Sequence, residues 1–485
     1  MLKTACMSIF YKIKTPGSAL YQMSCVAGGT VIAQILNVVV LPIISRMYSP
    51  ADFGVMAVYS SVIAISAEIS GFRYHYAIPL PKDDRYARAL LSLSFIIQIF
   101  IVAVISIILI NAGDKVLSFL SLDALEQYQL YIPIGVAGIG LYNILLKMSV
   151  RNSRFKTIAK TKVSQALGRD ITMAAAGALT HGPFGLIIGT IIGQSGGIVT
   201  LFRDLLPLNN IFCFKRYKLY RAMVRYKRFP IYNMPFGIVN TLGMYLPQLT
   251  LTSYYGASVT GIYAMAALVL SLPSRFIGEA VGSVFVQRAS AARYSGSLNE
   301  LSIRFYQTML KISIFPVAVL SLSAPLLLAI ILGEQWGESG LYAIALIPFA
   351  SYNLVYSPLN VLYLVFERQK EAFLHETFSV FAKGAVLLWG GYTHMPPVRT
   401  ICIFSLICFF VSLYRVIFLL KIAGHTAKMV LVSTFRTIAW SALLLMVPAF
   451  CYMLGLNILC LITSAIAVIP YTYKTYRDLR ELSVL

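Results

Sequence analysis

The chain has 485 residues, of which 58% are hydrophobic and only 12% charged, and its mean hydropathy is +0.77. Soluble domains carry roughly 25% charged residues, so this composition excludes a soluble globular protein and points to a polytopic all-α membrane protein. The formal charge of +22 would suggest nucleic acid in a soluble chain, but here its distribution has to be read first.

In chain order, apolar runs predict spans near 18–44, 55–79, 89–112, 131–150, 163–180 and 184–202. The first run follows Lys3, Lys12 and Lys14 and is too long for a signal-peptide core, so it is expected to remain as an uncleaved span. Between the first two spans, residues 45–54 read as a short polar turn, with Pro50 unable to continue a helix and Asp52 and Gly54 suited to a turn. The densest basic stretch, FKRYKLYRAMVRYKRF within 203–230, has apolar residues at helical spacing and predicts an amphipathic helix on the inner surface. Six more spans are expected near 231–253, 262–287, 305–332, 341–366, 373–392 and 401–420. A last hairpin over 431–453 and 456–473 completes about 14 spans, arranged as 6+6+2.

Of the 40 Lys and Arg, only Arg46, Lys115 and Arg399 fall in loops on the side opposite the N-terminus, and eight fall within spans. The remainder lie on the N-terminal side, which is the positive-inside pattern and places both termini inside. The charge is therefore a topology signal with some attraction to anionic headgroups, and no nucleic-acid partner is expected. Seven scattered cysteines form no disulfide or metal framework. The domain plan is a six-helix bundle over 1–202, a basic linker over 203–230, a second six-helix bundle over 231–420 and a C-terminal hairpin with a basic tail over 421–485.

An offset of 207 positions lays Tyr48 and Gly54 over Tyr255 and Gly261, each pair between two spans, and lays Glu68 over Arg275. Six spans separate the copies, so they would share membrane orientation, related by an axis along the membrane normal.

Ionisable groups deep in a span cost on the order of 2.5–3.5 kcal/mol and mark sites. The basic ones are Arg73, Lys147, Arg169, Arg275, Lys311, Lys383, Arg415 and Arg436, against Glu68, Asp170, Glu279 and Glu376. Lys147, Lys311 and Arg415 fall close enough to the inner surface to snorkel. Arg169 and Asp170 are adjacent and expected to find separate partners. Glu68 and Arg73 are about 140° apart on a continuous helix, which predicts cross-helix partners and not a mutual pair. Arg275 and Glu279 share a face, and either neutralise one another or line a cavity. Lys383 has no acid at i±3 or i±4 and is expected to line a cavity. Pro247, Pro273, Pro316, Pro348 and Pro358 mark kinks or hinges.

SRMYSPADFG, AIPLPK, FPIY at 229–232, LPQLTLTSYYGASVTGIY at 246–263 and IGEAVGSVF at 277–285 together resemble the polysaccharide transporter (Wzx-type O-antigen flippase) family. That family belongs to the multidrug/oligosaccharidyl-lipid/polysaccharide exporter superfamily. The resemblance implies two six-helix bundles in a pseudo-twofold arrangement around a central, cationic cavity. It implies translocation of an undecaprenyl-type diphosphate-linked oligosaccharide of lipopolysaccharide or another surface polysaccharide, from the inner to the outer leaflet of a bacterial inner membrane. Polymerase and chain-length machinery would be its partners. The expected substrate-binding cations are Arg73, Arg275, Lys383 and Lys311, and the expected coupling or charge-pairing groups are Glu68, Glu279, Asp170 and His75. His75 departs from the pattern, since similar proteins often carry an acidic residue after Arg-Tyr. No metal or organic cofactor is expected, and H⁺ or Na⁺ coupling is left open. A lipid II-type flippase or multidrug exporter of the same superfamily is the alternative; short outside loops argue against a membrane enzyme such as an oligosaccharide polymerase.

Overall fold

The structure is a computed structural model that describes residues 19–206, 212–274 and 297–483, together with Phe285, Ala289 and Ala292. The described residues are almost all helical. They divide into two compact units, Met1–Tyr245 and Leu246–Leu485. The boundary falls downstream of the basic linker at 203–230, so the start of the helix after that linker packs within the first unit.

The first unit opens with α1 (Ala19–Met47) and α2 (Pro50–Ile69). Only Tyr48 and Ser49 separate them, a tighter connection than the expected turn over 45–54. Ser49 and Asp52 form a reciprocal capping box: Ser49 Oγ accepts from the Asp52 amide at 3.2 Å and Asp52 Oδ2 accepts from the Ser49 amide at 2.9 Å. Pro50 sits at the first helical position, where its missing N–H is no loss, so the proline starts α2. Then follow α3 (Asp84–Phe119), α4 (Tyr131–Arg151), α5 (Phe155–Leu179), α6 (Phe184–Ser195) and α7 (Ile198–Leu205). Within this unit α1 packs on α5, α5 on α6, and α4 against α3 and α6.

Buried Tyr48 joins the first turn to α5, its hydroxyl donating to the Met173 carbonyl at 2.7 Å. Gly177 and Gly185 make room for the ring, since a Cβ on either would fall within 2.8 Å of a Tyr48 atom. The linker helix α8 (Arg216–Arg225) rests on α3, with Ala222 buried and Tyr74 donating to the Met223 carbonyl at 3.2 Å.

The long run α9 (Met234–Pro273) breaks at Gly256, whose φ of +86° a side chain would oppose. Beyond it lie α10 (Leu298–Leu332), α11 (Ser339–Ala345), α12 (Ile347–Leu359), α13 (Leu362–Val365), α14 (Gln369–Tyr392), α15 (Pro397–Ile422), α16 (Ala427–Met453) and α17 (Asn457–Ser483). The second unit repeats the tyrosine device. The Tyr255 hydroxyl reaches the Gly390 carbonyl of α14 at 2.9 Å, as well as the Met395 carbonyl and Thr400. In each expected six-span set, the tyrosine at the first turn ties to the fifth span.

Among the described residues, nine helices are long and apolar enough to cross a membrane, or ten counting the pair Glu334–Ala345 and Ile347–Val365, bent by 62°. The expected fourteen exceeds this for identifiable reasons. Two expected spans share the kinked stretch Phe229–Pro273, α5 and α14 are long enough but not apolar enough, and Asn457–Tyr473 is short. The chain is a multi-pass membrane protein.

Candidate functional site

The second span does not run straight. After Ile69 the chain turns into a 3₁₀ segment, Ser70–Ala77, in which Gly71, Phe72 and Arg73 take φ of +53°, +45° and +57°. Non-glycine residues there cost on the order of 1 kcal/mol or more each and persist only where surroundings fix them. Here the fixing is visible. Ser70 Oγ donates to Gln98 Oε1 at 2.5 Å, and Gln98 Nε2 donates to the Val136 carbonyl at 2.9 Å, tying the break to α3 and α4. Below it, Arg151 at the end of α4 donates to the Ile78, Pro81 and Lys82 carbonyls and pairs with Asp84 at 2.7 Å. The break is thus built into the packing of three helices.

Its consequence is an ion pair that a continuous helix would not allow. Arg73 and Glu68 contact each other directly, which corrects the expectation that 140° of helical rotation keeps them apart. The left-handed residues 71–73 break the helical rotation, so the guanidinium meets the carboxylate. The short π-helical segment Phe229–Asn233 and the opening of α9 complete the cluster. Arg73 Nη1 donates to Asn233 Oδ1 at 2.9 Å, and Thr241 Oγ1 donates to Glu68 Oε1 at 2.7 Å. Between these two lies Gly237, where an added Cβ would stand 2.2 Å from Arg73 Nη2 and 2.6 Å from Glu68 Oε2. A side chain at 237 would displace the guanidinium or the carboxylate.

The ring of Tyr76 carries a second cation. Arg73 lies 4.9 Å and Lys147 4.5 Å from its centroid, so two cations and one carboxylate share this region. His75 is 2% exposed and its ring lies 4.6 Å from that of Tyr76. The buried His75 Nδ1 and Arg73 Nε make no hydrogen bond with a described residue. The Arg73 and Glu68 side chains keep 11% and 19% exposure, so the pair is sheltered but not sealed.

The other expected site residues lie elsewhere. Asp170, 3% exposed on α5, pairs with its neighbour Arg169 at 2.9 Å, which overturns the expectation of separate partners: the long arginine folds back along the helix to reach Oδ1. Lys311 stands on α10 and Lys383 half-buried on α14. Lys383 makes no ion pair or hydrogen bond with a described residue. Arg275 and Glu279 lie outside the described residues. Arg415 does not snorkel. It is 4% exposed, donates to Glu376 Oε2 at 2.9 Å, to the Tyr356 hydroxyl at 3.1 Å and to the His375 carbonyl, and stacks over the Tyr356 ring at 5.2 Å. A partner on the adjacent helix α14 made burial affordable.

Sequence reasoning missed Asn233, Gly237 and Thr241, although a signal was present. They recur every four residues, a polar and small stripe on one face at the opening of an otherwise apolar span. Arg151 was read only as one loop cation among many. Groups of three or more His, Cys, Asp or Glu that could hold a metal are absent among the described residues.

Comparison with known proteins places the chain in a family. Residues 43–340, which contain α2, the broken segment and the whole Glu68–Arg73 cluster, match the family described as polysaccharide biosynthesis protein. The chain belongs to that family. A curated relative, the succinoglycan biosynthesis transport protein ExoT of Rhizobium meliloti (strain 1021), is 23% identical over 318 residues. That match takes in 62% of this chain and spans 60% of the relative's length. Among solved structures, the lipid II flippase MurJ in an inward closed conformation aligns over 93% of this chain and 98% of its own, with a TM-score of 0.70 at 14% identity. An inward-facing multidrug resistance MATE family transporter aligns over 80% of this chain and 96% of its own, with a TM-score of 0.63 at 14% identity. A MOP superfamily transporter from Pyrococcus furiosus aligns over 86% and 99%, with a TM-score of 0.55 at 14% identity. The family member described here therefore has the fold of the MOP superfamily transporters.

Proposed function

We propose that this chain is a flippase that carries a polyprenyl-diphosphate-linked oligosaccharide, an O-antigen or other surface-polysaccharide repeat unit, from the inner to the outer leaflet of a bacterial cytoplasmic membrane by alternating access. Both termini lie inside in this reading, and polymerase and chain-length machinery receive the product. The family, the transport role in the name of its succinoglycan relative and the fold support the class of function.

The observation that carries the substrate reading is the Arg73 cluster. A diphosphate needs cations with several donors, and a guanidinium offers five N–H groups in a planar fork. Arg73 uses Nη1 on Asn233 and Nη2 on Glu68 and leaves Nε without a protein partner among the described residues, beside the second cation Lys147. Glu68 then acts as the counter-ion that holds Arg73 until a phosphate competes for it. The same carboxylate, or Asp170, is the group through which a proton or Na⁺ gradient would act. Lys383 adds a further cation in the second unit.

A second reading is a lipid II-type flippase, favoured by the fold likeness to MurJ. One reconstitution separates them. Proteoliposomes holding the full chain are given fluorescent polyprenyl-diphosphate oligosaccharide or fluorescent lipid II, and outer-leaflet exposure is timed. The proposal expects transfer of the oligosaccharide lipid, reduced about tenfold or more in Arg73→Ala. Transfer of lipid II alone would replace the first reading by the second, and transfer undiminished in Arg73→Ala would remove Arg73 from the site.

A further inference from the structure

The second unit contains a cavity of about 660 Å³ between α10, α16 and α17, lined by groups that an apolar helix bundle does not need. Each helix contributes at helical spacing. Gln307 and Lys311 come from α10, Ser433, Arg436, Thr437 and Trp440 from α16, and Tyr471 and Thr475 from α17. The α16 set follows i, i+3, i+4 and i+7, so one face of this span is deliberately polar and cationic. Tyr471 is buried and its hydroxyl donates to the Lys311 carbonyl, which fixes α17 to α10 at the level of the lysine. Phe315, one turn further along α10, stacks on the Tyr471 ring at 4.0 Å.

Two cations therefore face one cavity. Arg436 is exposed and makes no ion pair with a described residue, and Trp440 is 38% exposed. Lys311 and Arg436 stand about 9 and 8 Å inside the inner ends of the expected spans 305–332 and 431–453, at 1.5 Å per residue. That depth is the inner-leaflet half of the bilayer, near the headgroup boundary. Leu310 and Leu443 border the polar groups.

We infer that this cavity binds the phosphate headgroup of an inner-leaflet lipid, with Lys311 and Arg436 on the phosphate, Ser433, Thr437 and Gln307 on its ester and hydroxyl oxygens, and Trp440, Leu310 and Leu443 against the first carbons of the chain. The charge selects an anion, the hydroxyl-rich wall selects a phosphoryl group over a bare carboxylate, and the apolar border selects one attached to a lipid. The lipid is either a membrane phospholipid such as phosphatidylglycerol or a polyprenyl diphosphate, which share that chemistry. The inference stands whether or not the transport reading holds, because it concerns binding alone.

The test is native mass spectrometry of the detergent-purified full chain titrated with phosphatidylglycerol, undecaprenyl diphosphate, phosphatidylcholine and inorganic diphosphate. One saturable anionic lipid is expected, retained about tenfold less by Lys311→Gln/Arg436→Gln and by the cavity-filling Ser433→Trp, which keeps both cations. The charge-matched surface control Lys160→Gln/Lys428→Gln should bind as the unaltered chain does. Whichever anionic lipid saturates at the lower concentration names the source. Binding unchanged in both cavity variants would overturn the site, as would inorganic diphosphate competing as well as the lipid at equal concentration. Unaltered thermal melting of the lipid-free variants keeps a lost signal from being a lost fold.

Discussion

Two arginine–glutamate pairs are buried in the described structure, and they are built in opposite ways. Arg415 and Glu376 project from two regular helices, α15 and α14, and the arginine is enclosed by Tyr356 and the His375 carbonyl. Arg73 and Glu68 lie five residues apart on one chain segment and meet only because three consecutive residues adopt left-handed geometry. The first pair clips adjacent helices and asks nothing unusual of the backbone. The second interrupts a membrane span and stands against a glycine on a third element, whereas Nε of each arginine is without a hydrogen-bond partner among the described residues. A pair that exists for cohesion is made like the first. What sets the second apart is its strained backbone, and strain of this kind clusters at functional sites.

The largest expected effect breaks the clip. Arg415→Ala leaves Glu376 buried without its cation and should lower stability by about 3–5 kcal/mol, read as a shift of the melting curve in detergent. Replacing both partners, Arg415→Met with Glu376→Gln, should recover most of that loss. Recovery failing would mean that the arginine does more than neutralise the acid.

Next comes Gly237→Val, which forces a side chain into the space of the Arg73 guanidinium. Overpacking of this kind costs about 1–3 kcal/mol, and transport should fall further than stability. Gly71→Ala places a methyl on a residue at φ +53° and should cost about 1 kcal/mol by the left-handed penalty. A neutral Gly71→Ala would show that the break is relaxed. The smallest effect sharpens the repeat. Tyr48→Phe should cost about 0.5–1.5 kcal/mol for one lost hydrogen bond. Tyr255→Phe, which loses its links to Gly390, Met395 and Thr400, should cost more.

The helical layout was legible because apolar runs long enough to span a bilayer can be little else. The polar turn at Tyr48 and its counterpart at Tyr255 were legible for a related reason: each interrupts such runs, and in the structure each tyrosine ties to its fifth span. The pairing of Glu68 with Arg73 was not, because rotation per residue assumes an unbroken helix, and Gly71 was the only local sign that this one breaks. Glycine permits such a break without announcing it. Arg415 was misread for a different reason. Distance from a surface says where a long side chain can go, whereas its acid partner on α14 lies 39 positions away in sequence. Asn233, Gly237 and Thr241 formed a readable stripe, but what it faced depended on a segment far earlier in the chain.

The central claim is that the broken second span is a substrate site and the Arg415 pair a structural one. It is tested most directly by measuring transfer of a labelled polyprenyl-diphosphate oligosaccharide per folded molecule, alongside melting temperature, for Glu68→Gln/Arg73→Gln and Arg415→Ala. The account predicts that the first variant melts close to the unaltered chain and transfers about tenfold less, while the second melts lower and transfers normally once corrected for folded protein. Loss of transfer confined to the second variant, with the first fully active, would contradict it.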